Sequence, residues 1–181
     1  PLMIKIAGRP YIDCRLSFNS FLPQNLDKNL GNKLVDIWLD KLEKNPNSHD
    51  KIEFDIAITC YTFDIEQNLN KVEYSNISSK NKLVYIQSLK NQFNNNLKKE
   101  SLSSVDNAFL QIDKLINLQK IHNELEFKDL KLIADNCKEY GTIPFSILAR
   151  HGFIAKSLLQ SLVNINIINK KDFDNILNSI K

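Results

Sequence analysis

The apolar residues of this chain change their spacing once, and that change sets what the chain can fold into. Over residues 11–18 they alternate, with Ile12, Cys14, Leu16 and Phe18 on one side and Tyr11, Asp13, Arg15 and Ser17 on the other. Residues 52–63 alternate likewise, Ile52, Phe54, Ile56 and Ile58 against Glu53, Asp55, Ala57 and Thr59. Alternation puts successive side chains on opposite faces of a strand. From about residue 78 onward the apolar residues recur three and four apart, the spacing of a helix face, and no further strand pattern follows. Strands segregated ahead of helices define an α+β chain, here a small N-terminal antiparallel sheet with one helix, followed by a predominantly helical C-terminal part. At 181 residues the chain suffices for a single domain over 1–181, with the sheet in 1–75 and the helices in 76–181.

Local signals place the boundaries. Residues 2–6 read as a short strand that Gly8-Arg9-Pro10 turns back. Leu30, Leu34, Ile37, Trp38 and Leu42 form one face of a helix over 26–42, with Trp38 in the core and Asn45-Pro46-Asn47 as the stop. Leu83, Ile86, Leu89, Phe93 and Leu97 mark a second helix; Val105, Phe109, Ile112, Ile116 and Leu118 mark a third, capped by Ser103 or Ser104. Residues 127–140 make a fourth, with Gly141 as its C-terminal stop. Thr142-Ile143-Pro144 then has the chemistry of a fresh start, a hydroxyl cap followed by proline in the first turn, for a long helix reaching Val163. Residues 170–180 close with a short amphipathic helix.

Composition excludes several classes. Hydrophobic content of 43% and charged content of 25% belong to a globular chain, not a disordered one. The net charge is +3, and the lysines are scattered among acids instead of forming a stripe with aromatics, which argues against nucleic acid as a partner. No stretch of about 18 apolar residues occurs, and the opening residues do not read as a charged leader, so a soluble protein with no membrane partner is expected, while the odd, unpaired cysteines fit a reduced cytoplasmic setting. Cys14, Cys60 and Cys137 are far apart and form no CxxC pair; they read as reduced thiols, Cys14 and Cys60 buried on strand faces, with no structural metal site. The four glycines, Gly8, Gly31, Gly141 and Gly152, cannot build a phosphate-cradling loop or a dinucleotide-binding glycine run. From Pro1 the chain runs straight into a strand pattern, as expected of a piece excised from a longer protein.

Arginine is the scarce residue. Only Arg9, Arg15 and Arg150 stand among 24 lysines and arginines, and arginine differs from lysine in gripping a carboxylate or phosphate with a rigid two-pronged fork. On the polar strand face, Tyr11, Asp13, Arg15 and Ser17, joined by Glu53 and Asp55 if the two strands pair, form what a zwitterionic amino acid needs: a guanidinium for its carboxylate and an acid for its ammonium. The same residues equally form an internal Arg15–Glu53 ion pair. A second candidate is the expected helix start at Thr142, whose free N–H groups attract anions, with Arg150 about two turns further on; a plain corner between helices uses the same residues. Of His49, His122 and His151, only His49 in Ser48-His49-Asp50-Lys51 suggests a role, as donor or base beside Glu53, or else as a solvated turn residue. The pairs Lys98-Lys99 and Lys170-Lys171 read as solvated faces.

Three blocks carry a resemblance: Gly8-Arg9-Pro10-Tyr11-Ile12-Asp13-Cys14-Arg15-Leu16-Ser17-Phe18-Asn19-Ser20-Phe21-Leu22-Pro23; His49-Asp50-Lys51-Ile52-Glu53-Phe54; and Tyr140-Gly141-Thr142-Ile143-Pro144-Phe145, continuing through Leu148-Ala149-Arg150 to Phe153. Together they resemble the central region of phosphoenolpyruvate-synthase-like enzymes encoded with bacterial capsule genes, including the L-glutamine kinases. In such enzymes an ATP-grasp domain passes a phosphoryl group from ATP to a histidine on a mobile domain, which carries it to the acceptor. The resemblance therefore implies a central acceptor-binding or docking domain, with glutamine as the suspected acceptor. It also implies that ATP and Mg are bound by the parent enzyme and not by this piece, and that its partners are the ATP-grasp and phosphohistidine domains of the same chain. The alternative is a structural domain that spaces the catalytic domains; it requires the polar strand face to be closed by internal ion pairs.

Overall fold

The computed structural model describes residues 3–97, 104–121 and 129–180. The readings made for Leu2, Lys98, Lys99, Ser103, His122 and Phe127 lie outside them. The architecture is α+β as expected: a two-stranded antiparallel sheet at the N-terminus, then helices. The chain divides into two compact units, Pro1–Phe93 with Gln160–Lys181, and Asn94–Leu159.

The first unit opens with a hairpin. Strands β1 (Met3–Ile6) and β2 (Arg9–Ile12) pair Met3 with Ile12 and Ile6 with Arg9. Two residues turn the chain, and both have positive φ, Ala7 at 48° and Gly8 at 81°, the backbone that matches the twist of paired strands. The expected strand over 11–18 ends at Ile12. Asp13 turns the chain into a helix instead, its carboxylate accepting the Leu16 N–H at 2.9 Å, and α1 spans Cys14–Asn19. Of the expected apolar face, Phe18 is buried, but Leu16 is 44% exposed and Cys14 is exposed.

Helix α2 (Lys28–Lys44) follows the sequence closely. Asp27 caps its N-terminus by accepting from Asn29 and Leu30, Lys41 and Lys44 sit favourably in its last turn, and Asn45 and Pro46 end it. Leu30, Leu34, Val35 and Trp38 form its buried stripe. Trp38 is fully buried, with the Phe18 ring meeting its face or edge at 90° and 6.1 Å.

The second expected strand, over 52–63, is also absent. Residues Ile52–Ile56 form one wide helical turn, tied by the Ala57 N–H to the Ile52 carbonyl at 2.8 Å. The sheet stays two-stranded, β1 with β2, and this segment does not join it. The turn drops Ile56 and Ala57 into the core, while Phe54 is 53% exposed. Helix α3 (Ile65–Leu69) and the first part of α4 (Ser79–Leu97) complete the core with Ile65, Leu69, Tyr74, Ile77, Tyr85 and Leu89. The Tyr85 hydroxyl donates to the Ile58 carbonyl.

In the second unit α5 (Ser104–Ile121) turns Ala108 inward, with Val105, Ile112, Leu115 and Leu118 half-buried. Phe109 and Ile116, expected on the inner face, are 55% and 42% exposed. Helix α6 (Leu130–Cys137) does not stop at Gly141. A wide turn, Lys138–Thr142, leads directly into α7 (Ile143–Asn164) with the backbone helical throughout. Proline inside a helix has no N–H to give and its ring crowds the carbonyl four residues back; the widened turn just before Pro144 absorbs that conflict. Gly141 serves a close approach instead: a Cβ there would stand 3.1 Å from Leu115 Cδ2.

The last turn of α7 belongs to the first unit, as does α8 (Lys170–Ser179), capped by Asn169 and anchored by Phe173. Ser161 and Asp64 are both buried. Ser161 Oγ accepts the Phe63 N–H at 3.2 Å, and Asn164 Nδ2 donates to Asp64 Oδ2 at 2.6 Å.

Candidate functional site

The polar strand face on which Tyr11, Asp13, Arg15, Ser17, Glu53 and Asp55 were to meet does not form, because both strands that would have carried it are helical there. Arg9 and Tyr11 lie exposed on β2. Asp13 spends its carboxylate as the cap of α1. Arg15, on α1, is closed by a residue outside the expected set: its Nη2 donates to Asp36 Oδ1 of α2 at 2.7 Å. Both side chains remain more than half exposed, 55% and 57%, so the pair contributes little to stability. What it does is engage one prong of the fork, Nη2. Ser17 lends its carbonyl to the Ser20 hydroxyl at 2.6 Å.

His49, Glu53 and Asp55 cluster along residues 48–55. His49 Nδ1 lies 3.1 Å from the Pro46 carbonyl, so that nitrogen carries the proton and donates. Ser48 Oγ donates to Asp55 Oδ2 at 3.4 Å. Beside this segment stands a residue that sequence reasoning missed. Lys41 Nζ donates to the Ile56 carbonyl at 3.5 Å. Burial pushes its amine below the ordinary lysine value, with Glu73 and Asp55 opposing the shift and Lys71 adding to it. The signal for it was present, since Lys41 falls three residues after Trp38 beside the apolar stripe of α2.

Thr142 and Arg150 lie in the second unit. The expected anion-binding helix start at Thr142 is not there. The Ile143 N–H bonds to the Lys138 carbonyl, Pro144 has no N–H, and Thr142 Oγ1 donates to the Cys137 carbonyl at 3.4 Å. Arg150 stacks its guanidinium over the Phe153 ring at 5.1 Å. That stack lies within α7, whereas nearby contacts run between helical segments: Ser104 Oγ lies 2.7 Å from His151 Nε2, and Lys114 Nζ donates to the Tyr140 hydroxyl at 2.7 Å.

The thiols also differ from expectation. Cys14 and Cys137 are exposed and Cys60 is half-buried; no disulfide joins any of them. Cys14 sits at the surface because α1 begins there. Among the described residues no three His, Cys, Asp or Glu side chains gather to hold a metal ion, and no helix is long and apolar enough to cross a membrane. Compared with family models, curated proteins and solved structures, the chain matches none.

Proposed function

We propose that this chain is the central docking and spacing domain of a cytoplasmic, ATP-dependent phosphotransferase of the phosphoenolpyruvate-synthase kind, and that it has no turnover of its own. The reading rests on the three sequence blocks. The observation that favours docking over acceptor binding is the Arg15–Asp36 contact at 2.7 Å. An acceptor site needs an open guanidinium fork for the incoming carboxylate; here Asp36 of the neighbouring helix already holds the Nη2 prong. The other residues of the first block support the same reading, because Gly8 makes the hairpin turn, Asp13 caps α1 and Phe18 fills the core. These three residues are framework.

In this reading ATP and Mg belong to the ATP-grasp domain of the parent enzyme, and the phosphoryl group travels on the histidine of its mobile domain to an amino-acid acceptor, glutamine first among those to test. The domain's own partners are those two domains, with no nucleic acid or membrane. Its contribution to rate is positional, holding the donor and acceptor stations at a workable separation.

The test is reconstitution. The chain alone, given ATP, Mg and glutamine, is expected to release no ADP; turnover there overturns the reading. Added to the ATP-grasp and phosphohistidine domains of its parent enzyme it is expected to restore transfer. Arg15→Ala should restore transfer within about twofold of the unmodified chain, whereas a loss of about 100-fold in kcat/KM would make Arg15 the acceptor's anchor.

A further inference from the structure

A cleft of about 640 Å³ lies between the loop that follows α1 and the first turns of α2, inside the roughly 300–1,000 Å³ range of small-molecule sites. Neither Arg15 nor Asp36 lines it. Its floor is apolar, made by Leu22, Pro23 and Leu26, with Gly31 at its helical wall. A Cβ on Gly31 would stand 2.9 Å from Leu22 Cδ1. Glycine inside a helix is unfavourable; here its bare Cα lets Leu22 seat against α2 and fixes the floor.

The rim is polar and neutral in sum. Asn19, Gln24 and Asn32 bring carboxamides that make no side-chain hydrogen bond to a described residue. Ser20 Oγ donates to the Ser17 carbonyl, which leaves its oxygen able to accept. Asp27 and Lys28 add one charge of each sign.

That chemistry selects among ligands. The N-terminal amides of α2 offer no anion hole, because Asp27 Oδ1 takes the Asn29 and Leu30 N–H groups at 2.9 and 3.1 Å, and its carbonyl takes Gly31 at 2.8 Å. Lys28 opposes a cation. A carboxamide offers donor and acceptor in one group, and a hydroxyl asks for both. We propose that this cleft binds a neutral, multiply hydroxylated molecule of monosaccharide size. Its C–H face rests on Leu22, Pro23 and Leu26, and its hydroxyls meet the Asn19, Gln24 and Asn32 carboxamides and the second carboxylate oxygen of Asp27. The inference goes beyond the docking role and does not depend on it.

Amide chemical shifts of the whole chain, followed during separate titrations with glucose, galactose and N-acetylglucosamine, test this directly. Inorganic phosphate and L-glutamine serve as the charged arms. At least one sugar is expected to give saturable shifts confined to residues 19–32, with a Kd of about 1–10 mM. The double variant Gln24→Ala/Asn32→Ala, at two exposed positions, is expected to keep its Tm and to weaken that Kd about tenfold or more. No saturable shift within 19–32 from any of the three sugars overturns the proposal. So does a response there to phosphate or glutamine alone, or unchanged sugar binding by the double variant.

Discussion

Both units are built largely from amphipathic helices, yet they bury them differently. In the first, Phe18, Leu34, Val35, Trp38, Leu69, Tyr85 and Leu89 are each 1% exposed or less, drawn from α1 to α4 into one cluster. In the second, the buried apolar side chains among the described residues are Ala108, Pro144 and Phe153, while Phe109, Leu110, Leu130, Leu132, Ile143 and Phe145 are 49–69% exposed. Its contacts are correspondingly polar or aromatic at the surface, such as Lys114 over the Tyr140 ring at 4.0 Å. A helix face held by few buried apolar contacts opens easily. The lesson is that a stripe of apolar residues at helical spacing states what a segment can bury, not what it does bury.

The strongest way to break this contrast is a pair of truncations. Trp38→Ala should cost about 3–5 kcal/mol in a urea melt, as for a large core aromatic, whereas Phe109→Ala in the second unit should stay within about 0.5 kcal/mol of the parent, as for a surface position. Similar costs for the two would erase the distinction. Next in size is Asn164→Ala, which strands the buried Asp64 carboxylate without the amide that donates to it at 2.6 Å; a loss of about 1–3 kcal/mol is expected.

Alkali sharpens the contrast further, because the first unit holds a buried phenol. Burial pushes Tyr74 up from 10.0 to about 12, with Glu73 adding and the Trp38 indole N–H opposing. That N–H is close enough to favour the phenolate, yet neither Trp38 Nε1 nor the Tyr74 hydroxyl reaches hydrogen-bond geometry. The folded state favours the protonated phenol, so this contribution is whole below pH 10 and is lost as pH climbs from 10 to about 12. Tyr74→Phe should leave stability at pH 7 unchanged or slightly raised and should flatten the alkaline loss, by on the order of 1–3 kcal/mol. Lys41 works in the opposite sense: its amine is lowered, so its contribution grows as pH rises towards 10.5. The smallest expected effect is Gly8→Ala, which meets no neighbouring atom but must hold φ at 81°; about 1 kcal/mol is expected, confined to the hairpin.

Much of the fold was legible from the sequence. The α+β order, the β1 strand, α2 with its Asn45–Pro46 stop, the burial of Trp38 and the helical run after residue 78 all rest on local chemistry that the sequence displays. The failures have two causes. Alternation over 11–18 and 52–63 satisfied the strand pattern, but Asp13 as a cap outweighed it in the first segment, and the second coils into a wide turn that buries Ile56 and Ala57. The candidate site depended on both strands and was lost with them. Asp36 as the partner of Arg15 was illegible because it becomes a neighbour only once residues 14–19 coil. Gly141 and Pro144 misled for a different reason: a widened turn lets a helix pass a residue pair that ordinarily ends one helix and begins another.

The claim that the first unit carries a dense buried core, with far fewer buried apolar side chains among the described residues of the second, is tested most directly by native-state hydrogen exchange on the whole chain. Amides of Leu34, Val35, Trp38, Tyr85 and Leu89 should exchange only through global unfolding, and those of Leu132, Ile133 and Ala134 in α6 at least about 100-fold faster. Equal protection in the two sets would contradict the account.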